Sequence, residues 1–305
     1  MHAFLEADMG DKPALQPKAA IGPAVRAIAR NILAGARTAI VDPERPAQEA
    51  VHDFRRAIKQ WRALMRLLEP FIPDAVRWRR EARAHARSLT PARDGQSALN
   101  AFDDLVKKGL ALSERSRATI RERLEAIRAS EERSVLTPEL RDAIVVWLDT
   151  AMAAIEQWPL DPFDFSSIAA QLADGYRGAR QRIPADWSLA SAEDLHQLRQ
   201  RVVDHRYQME LIEPLWPRHG RMWTEEAERL RDRLGRCQDL EVLKRLTGPH
   251  QPLARWRSRL TPAVSERTTE LSQRSARIAH RLFAEKPKAF RHRLEALWEH
   301  GLNGA

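Results

Sequence analysis

The stretch VHDFRRAIKQWRALMRLLEPFIP, at positions 51–73, decides how this 305-residue chain folds. Its apolar residues recur every three to four positions, which predicts a helix, and the Glu-Pro-x-x-Pro sequence predicts where that helix ends. The stretch returns at positions 195–217 as LHQLRQRVVDHRYQMELIEPLWP, with the same terminator in the same place. A repeat with so long a period indicates a duplicated domain half and not a solenoid.

Helical patterns fill the rest of the chain. The sequence has only 12 glycines and no runs of alternating β-branched residues, so no strand is predicted. We predict an all-α fold of two pseudo-symmetric bundles of the four-helix type, produced by internal duplication. The predicted divisions are a frayed tail over 1–20, a first half over 21–160 and a second half over 161–305. Helices are expected at about 21–41, 47–69, 74–88, 91–110, 113–130, 138–157, 164–182, 191–213, 221–246, 251–283 and 287–300.

Charge narrows the range of partners. The chain has 51 Lys and Arg against 42 Asp and Glu, a net charge of +9, and 43 of the 51 cations are arginine. Arginine binds phosphate oxygens in a bidentate manner, which lysine cannot do. Composition alone does not separate a binding role from solvated helix faces, so the positions of the arginines decide.

The first copy of the repeated helix carries its basic side chains on one face. With His52 set at zero on a wheel of 100° per residue, they fall within an arc of roughly 120°, opposite Phe54 and Ile58. No acid of the same helix lies in that arc, whereas solvated faces usually mix signs. Alternatively, acids of neighbouring helices, such as Glu69 or Asp94, neutralise the row. We predict a site for an external anion at His52, Arg55, Arg56, Lys59, Arg62 and Arg66.

The second copy keeps a weaker form of this pattern. His196, Arg199 and Arg206 occupy the matching face, and Tyr207 joins them. Val203 and Glu210 replace the counterparts of Lys59 and Arg66, so this half is expected to make fewer contacts. Two further basic stripes could join the same site, although each alone is more typical of a solvated face: Arg26, Arg30 and Arg37 near the start of the chain, and Arg274, Arg277 and Arg281 near its end.

Several paired motifs resemble the conserved histidine α-helical domain (CHAD) family. They are Val51-His52-x-x-Arg55-Arg56-x-x-Lys59-x-x-Arg62, Arg93-Asp94, Leu195-His196-x-x-Arg199 leading to Asp204-His205-x-Tyr207, and Leu234-Gly235-x-x-Gln238-Asp239-Leu240. The resemblance covers about residues 23–298. It implies two pseudo-symmetric four-helix bundles around a basic central groove or pore that binds inorganic polyphosphate. It also implies a cytoplasmic location, in some members on polyphosphate granules.

The resemblance assigns roles to individual residues. The basic rows of both repeated helices, with Tyr207, would line the groove, and Arg93 would add a contact from the next helix. Asp94 and Asp239 would orient cationic side chains. The sequence departs from the family pattern at Gln200 and Val203, where basic residues are usual, which again predicts a smaller contribution from the second half.

Other functions find less support in the sequence. His52-Asp53 matches the HD dipeptide of metal phosphohydrolases, but further ligands are missing and Asp53 lies about 100° away from His52. His196 and His205 fall on opposite sides of their helix. We expect no catalysis, no metal and no cofactor. Nucleic-acid binding is disfavoured because the basic row of the first repeated helix holds no aromatic residue for base stacking, and an acidic protein partner stays open.

The cysteine content and the lack of long apolar segments indicate a cellular location. Cys237 is the only cysteine, so neither a disulfide framework nor a thiolate metal cluster can form. The longest dense apolar run, residues 143–148, is far too short to span a bilayer. Residues 1–18 contain Glu6, Asp8 and Asp11 and have no signal-peptide core. A cytoplasmic address without membrane contact is expected.

Overall fold

The computed structural model describes residues 14–89, 94–131 and 136–303. Within these ranges the chain is all helical and contains no strand, as the sequence predicts. The α-helices, in chain order, are α1 (Ile21–Val41), α2 (Ala47–Leu67), α3 (Ala75–Ser88), α4 (Asp94–Lys107), α5 (Glu114–Glu131), α6 (Pro138–Ile155), α7 (Phe165–Arg180), α8 (Ala192–Leu211), α9 (Pro217–Arg245), α10 (Arg257–Leu282) and α11 (Pro287–Asn303). None of these described helices is long and apolar enough to cross a membrane.

Local sequence explains where the helices begin. Ser191 and Asp194 form a reciprocal capping box at the start of α8, and Thr137 caps α6. Pro217 occupies the first turn of α9, where its missing N–H costs nothing. The sequence-based start of this helix at 221 was therefore four residues late. The prediction for α10 was too long, because a 3-10 turn at Ala254–Trp256 precedes it.

The two halves pack their helices in the same order. In the first half α1 packs on α2 and α6, while α4 packs on α5. In the second half α7 packs on α8 and α11, while α9 packs on α10. The single helix α9 spans the positions that align with α3 and with the first half of α4. The division at 160/161 and the origin by duplication stay predictions from the repeated sequence.

Contacts between α2 and α8, and between α4 and α9, join the halves. The Gln208 amide of α8 donates to the carbonyl of Ala63 on α2 at 3.3 Å. Arg267 of α10, only 5% exposed, donates to both carboxylate oxygens of Asp104 on α4, at 2.6 and 3.0 Å. A buried bidentate pair of this kind has a fixed geometry, so it fixes how α10 meets α4.

The predicted frayed tail over 1–20 is wrong for its last part. Leu15 is 1% exposed, and its N–H donates to the carbonyl of Leu211 at the end of α8. Burial of one leucine side chain stabilises such a segment by about 2 kcal/mol. The polar residues of this segment suggested a free tail. Nothing in the sequence indicated the contact with Leu211, because that residue lies far away along the chain. Residues 1–13 lie outside the described residues.

A buried histidine lies at the centre of the second half. His205 is 1% exposed and is surrounded by the rings of Tyr176, Trp223, Phe283 and Phe290. Its Nε2 accepts a hydrogen bond from the indole N–H of Trp223 at 2.8 Å, which places the proton on Nδ1. Burial lowers the pKa of His205 to about 3, and the nearby Arg293 acts in the same direction.

This low pKa predicts acid-sensitive stability. Below pH ~6.5 the unfolded chain takes up a proton at His205 that the folded protein refuses, so stability falls by up to about 1.4 kcal/mol per pH unit down to about pH 3. Urea unfolding at pH 7 and pH 5 should show a loss about 2 kcal/mol larger for the wild type than for His205→Gln. The exposed control His52→Gln should behave as the wild type. An equal loss in all three proteins would contradict the prediction.

Candidate functional site

The basic row of α2 faces away from the core, as the helical wheel predicts. His52 and Arg56 are exposed, and Arg55, Lys59, Arg62 and Arg66 are half-buried. On the opposite side, Phe54 and Trp61 are completely buried. One face of α2 therefore packs in the core, and the opposite face carries the basic side chains.

Part of the counter-charge for this row comes from the other half of the molecule. Arg66 Nε lies 2.7 Å from Asp204 Oδ2 on α8, and the Asp204 side chain is only 13% exposed. The acids that the sequence suggested as neutralising partners are engaged elsewhere. Glu69 pairs with Arg79, and Asp94 pairs with Arg245 at 3.3 Å.

Further arginines surround Asp204. The charges of Arg62 and Arg66 of α2, Arg79 of α3 and Arg201 of α8 act on Asp204, and that of Arg83 of α3 acts on Arg62. We call these five residues the arginine cluster. Burial raises the pKa of the Asp204 carboxyl, while the charges of Arg66, Arg62, Arg201 and Arg79 each act to lower it. Of the five arginines, Arg66 pairs with Asp204 and Arg79 with Glu69, so three positive charges remain without a paired carboxylate among the described residues.

The surplus positive charge affects the pKa values of two arginines of the cluster. Burial lowers the pKa of Arg62; Asp204 acts against this, and the neighbouring charges of Arg83, Arg66 and Arg79 add to it. Burial and the charge of Arg66 likewise lower the pKa of Arg201. The Nε of Arg62 is buried and has no hydrogen-bond partner among the described residues. A buried donor without an acceptor costs free energy, which the oxygen of a bound anion can recover.

Sequence analysis missed Arg79, Arg83 and Arg201. Arg79 and Arg83 are one helical turn apart on α3, and the Glu-Pro-x-x-Pro turn folds α3 back onto α2. That turn, followed by a helix with arginines at four-residue spacing, was a signal that could have found them. Arg201 carried no comparable signal, because it comes from α8 and reaches the cluster through the contact between the halves.

The basic residues of the second half have partners of their own, and the smaller share in binding predicted for this half stays a prediction. Arg206 pairs with Glu210 at 2.9 Å and with Glu228 at 3.7 Å, so two carboxylates neutralise it. The Arg206 guanidinium lies over the ring of Tyr207, with its Cζ 5.0 Å from the ring centroid. Tyr207 is only 6% exposed, which corrects its predicted role: it supports Arg206 and does not offer a surface for a ligand.

His196 and Arg199 lie against α9. The His196 ring contacts the amides of Gln200 and Gln238. Arg199 lies on Gly235, where an added Cβ would stand 3.4 Å from its Nε. The Leu234-Gly235-x-x-Gln238 motif thus supports the basic residues of α8, a role that the sequence left open.

The additional arginine stripe on α1 is neutralised internally. Acids in α6 and in the segment after it pair with each arginine: Arg26 with Asp161 at 3.0 Å, Arg30 with Glu156 at 2.9 Å, and Arg37 with Asp149 at 2.8 Å. Each of these charges already has a carboxylate partner, so their share in anion binding stays a prediction without support from the charge balance. Near the end of the chain, Arg274 pairs with Glu270 and Arg281 with Glu226, and Arg277 lies exposed beside them.

A large cleft between α4 and the second half differs from the predicted basic groove. It encloses about 1410 Å³ between α4, α9, α10 and the segment leading into α8. Arg199 is the only predicted anion contact that lines it, together with the predicted orienting residue Asp239. Its charged lining residues are evenly divided between acids (Asp103, Asp104, Glu193, Asp232, Asp239, Glu241) and bases (Lys107, Arg199, Arg231, Arg236, Lys244, Arg245).

The remaining predictions concern Arg93, Asp94 and the HD dipeptide. Arg93 lies outside the described residues. Asp94 pairs with Arg245 of α9 at 3.3 Å and not with a member of the α2 row, and its orienting role stays a prediction. Asp53 of the HD dipeptide pairs with Arg45 at 2.8 Å and with Arg56 at 3.3 Å. In the described part of the chain, no three His, Cys, Asp or Glu side chains form a group that could hold a metal ion.

Comparison with known proteins gives two findings. Residues 19–248 match the CHAD domain family. The fold is similar to the crystal structure of the CHAD domain from the plant Ricinus communis, with a TM-score of 0.50 and 20% sequence identity over 93% of this chain and 95% of that one. No curated protein matches the sequence.

The position of Asp204 predicts a local stability effect. Asp204→Asn leaves the arginine cluster without its central negative charge, and the free energy of unfolding should fall by about 2 kcal/mol, because removing one partner of a buried pair strands the other. Added salt should recover part of this loss by screening the repulsion. The exposed pair of Arg37 and Asp149 supplies the control, because Asp149→Asn should cost less than about 1 kcal/mol in the same unfolding measurement. Equal losses in the two variants would show that Asp204 has no special electrostatic role.

Proposed function

Because the chain belongs to the CHAD domain family, we propose that it binds inorganic polyphosphate at the arginine cluster and along the basic row of α2, without catalysis. The observation that carries the proposal is the charge imbalance around Asp204. Five guanidinium groups face two paired carboxylates, and the remaining positive charge is held in a partly buried place. An anion of high charge density is the ligand that such a site favours.

The basic row of α2 continues beyond the arginine cluster, and its length favours an extended ligand. Basic side chains of α2 run from Arg66 and Arg62 to the exposed His52, about one turn apart, which is a rise of about 5.4 Å per turn. A flexible phosphate chain can place successive or alternate phosphates against successive turns. Arginine can grip each phosphate through two N–H groups. An extended polyphosphate therefore suits the row better than a single phosphate ion.

Binding energy would come from many charge-assisted contacts of modest strength. Each contact releases counter-ions, so affinity should fall steeply as salt rises, as it does for nucleic-acid complexes. A cytoplasmic location on polyphosphate granules would follow from this activity.

Replacing unpaired arginines should weaken binding more than replacing paired ones. We expect Arg62→Gln with Arg83→Gln to weaken binding of long-chain polyphosphate about 30-fold at about 150 mM salt, through loss of two contacts worth about 1 kcal/mol each. The slope of log affinity against log salt should become shallower by about two. Fluorescence anisotropy with labelled polyphosphate measures both quantities. Glutamine avoids the severe destabilisation that a glutamate beside Asp204 would cause.

The matched control is Arg30→Gln with Arg37→Gln. It removes the same total charge from α1, where each arginine already has a carboxylate partner, and should change affinity less than about twofold. Equal weakening by both double variants would mean that only net charge matters and would refute the site. Displacement of polyphosphate by single-stranded RNA or duplex DNA at comparable concentration would favour nucleic acid as the ligand instead.

A further inference from the structure

A second cavity lies between α9 and α10 and has a different character from the large cleft. It is an open depression of about 890 Å³, lined by Arg233 of α9 and six residues of α10. Five of its seven lining residues are basic or can become so: Arg233, Arg274, Arg277, His280 and Arg281. The other two, Ala276 and Ile278, are apolar, so no acid is found among its described lining residues.

The charges of this cavity are only partly balanced at its rim. Arg274 pairs with Glu270 at 2.6 Å, and Arg281 pairs with Glu226 at 3.4 Å. Arg233 donates to the backbone carbonyl of Arg274 at 3.0 Å, a contact that provides no counter-charge. Arg277 is exposed and forms no ion pair with any described residue.

Crowding of like charges affects Arg233. Burial and the neighbouring charge of Arg274 lower the pKa of its guanidinium, with Arg236 and Arg229 adding to this and Glu226 opposing it. A helix–helix junction that holds uncompensated cations together is under electrostatic strain, which a bound anion would relieve. The backbone contact with Arg274 also fixes Arg233 in place, so its guanidinium is already oriented before a ligand arrives.

The cavity and the arginine cluster belong to different helices, because the cavity is lined by residues of α9 and α10 and the cluster by residues of α2, α3 and α8. Glu228 of α9 faces α8, where it lies 3.7 Å from Arg206, whereas Arg233 faces α10. Arg206 and the cavity therefore lie on different flanks of α9. On the α8 side of α9, the carboxylates Glu210 and Glu228 neutralise Arg206.

We infer that the cavity between α9 and α10 is a second, independent site for a short inorganic phosphate chain. The inference rests on the proposed function for the chemical class of the ligand but uses none of its residues. Arg233 and Arg277 would make the principal contacts, with Arg274 and Arg281 shared between the ligand and their carboxylates. The protein then binds tripolyphosphate at two places, one at the arginine cluster and one between α9 and α10.

Isothermal titration calorimetry with inorganic tripolyphosphate tests the number of sites. The wild type should bind two equivalents, Arg233→Gln with Arg277→Gln one, Arg62→Gln with Arg83→Gln one, and the quadruple variant none. Loss of two arginine contacts should weaken the altered site at least about tenfold. Arg259→Gln, an exposed change elsewhere on α10, should leave both sites intact.

The outcomes distinguish the two proposals. If the Arg233 and Arg277 variant keeps the wild-type stoichiometry and affinities, the second site is refuted while the proposed function stands. If that variant loses a site but the Arg62 and Arg83 variant loses none, the second site stands and the arginine cluster is refuted. Arg233 is half-buried, so the exposed substitution Arg277→Gln alone supplies a check that does not depend on folding. It should weaken one of the two sites about fivefold, and unchanged binding would overturn the inference.

Discussion

The packing of α2 against α8 is the constraint on which the rest of the site depends. It brings Asp204, a carboxylate of one half, beside arginines of the other half. One carboxylate cannot balance the charges of several arginines. Like-charge repulsion costs a few tenths of a kcal/mol for each exposed pair. Burial of large side chains such as Phe54 and Trp61 on the opposite face of α2 stabilises the helix by about 2 to 3 kcal/mol each. The core can therefore hold a cationic site that would not assemble by itself.

The sequence predicts the faces of single helices well, because helical periodicity is a local property. The split between Arg62 and Ile58 on α2, and the end of the helix near Leu68, follow from spacing and proline alone. It does not predict which side chains of different helices meet. Asp204 belongs to α8 and Arg79 to α3, and only the packing of three helices brings them together. For Tyr207, the helical wheel predicts the correct face of α8 but not the burial of the side chain, because Arg206 and the surrounding helices cover it.

Arginine content by itself is a poor guide to function in this chain. The arginines of α1 have the same spacing as those of a binding face, yet every predicted one has a carboxylate partner within 3.0 Å. Arg62 and Arg201 have none among the described residues, and burial together with their neighbours lowers the pKa of both. What separates the two groups is the surrounding structure, because exposed pairs contribute little while partly buried, unpaired charges shape the electrostatic field.

The two halves keep the same helix order but distribute charge differently. Glu210 aligns with Arg66, and Glu228 aligns with Arg83, so acids replace two cations at the matching place in the second half. There Arg206 is neutralised, and the unpaired charge lies instead on the other flank of α9, where Arg233 aligns with Ser88 of the first half. Both regions gather cations that the unfolded chain would disperse, so an anion that binds them prefers the folded state and stabilises it. Such a ligand offsets the repulsion that the packing of these helices creates.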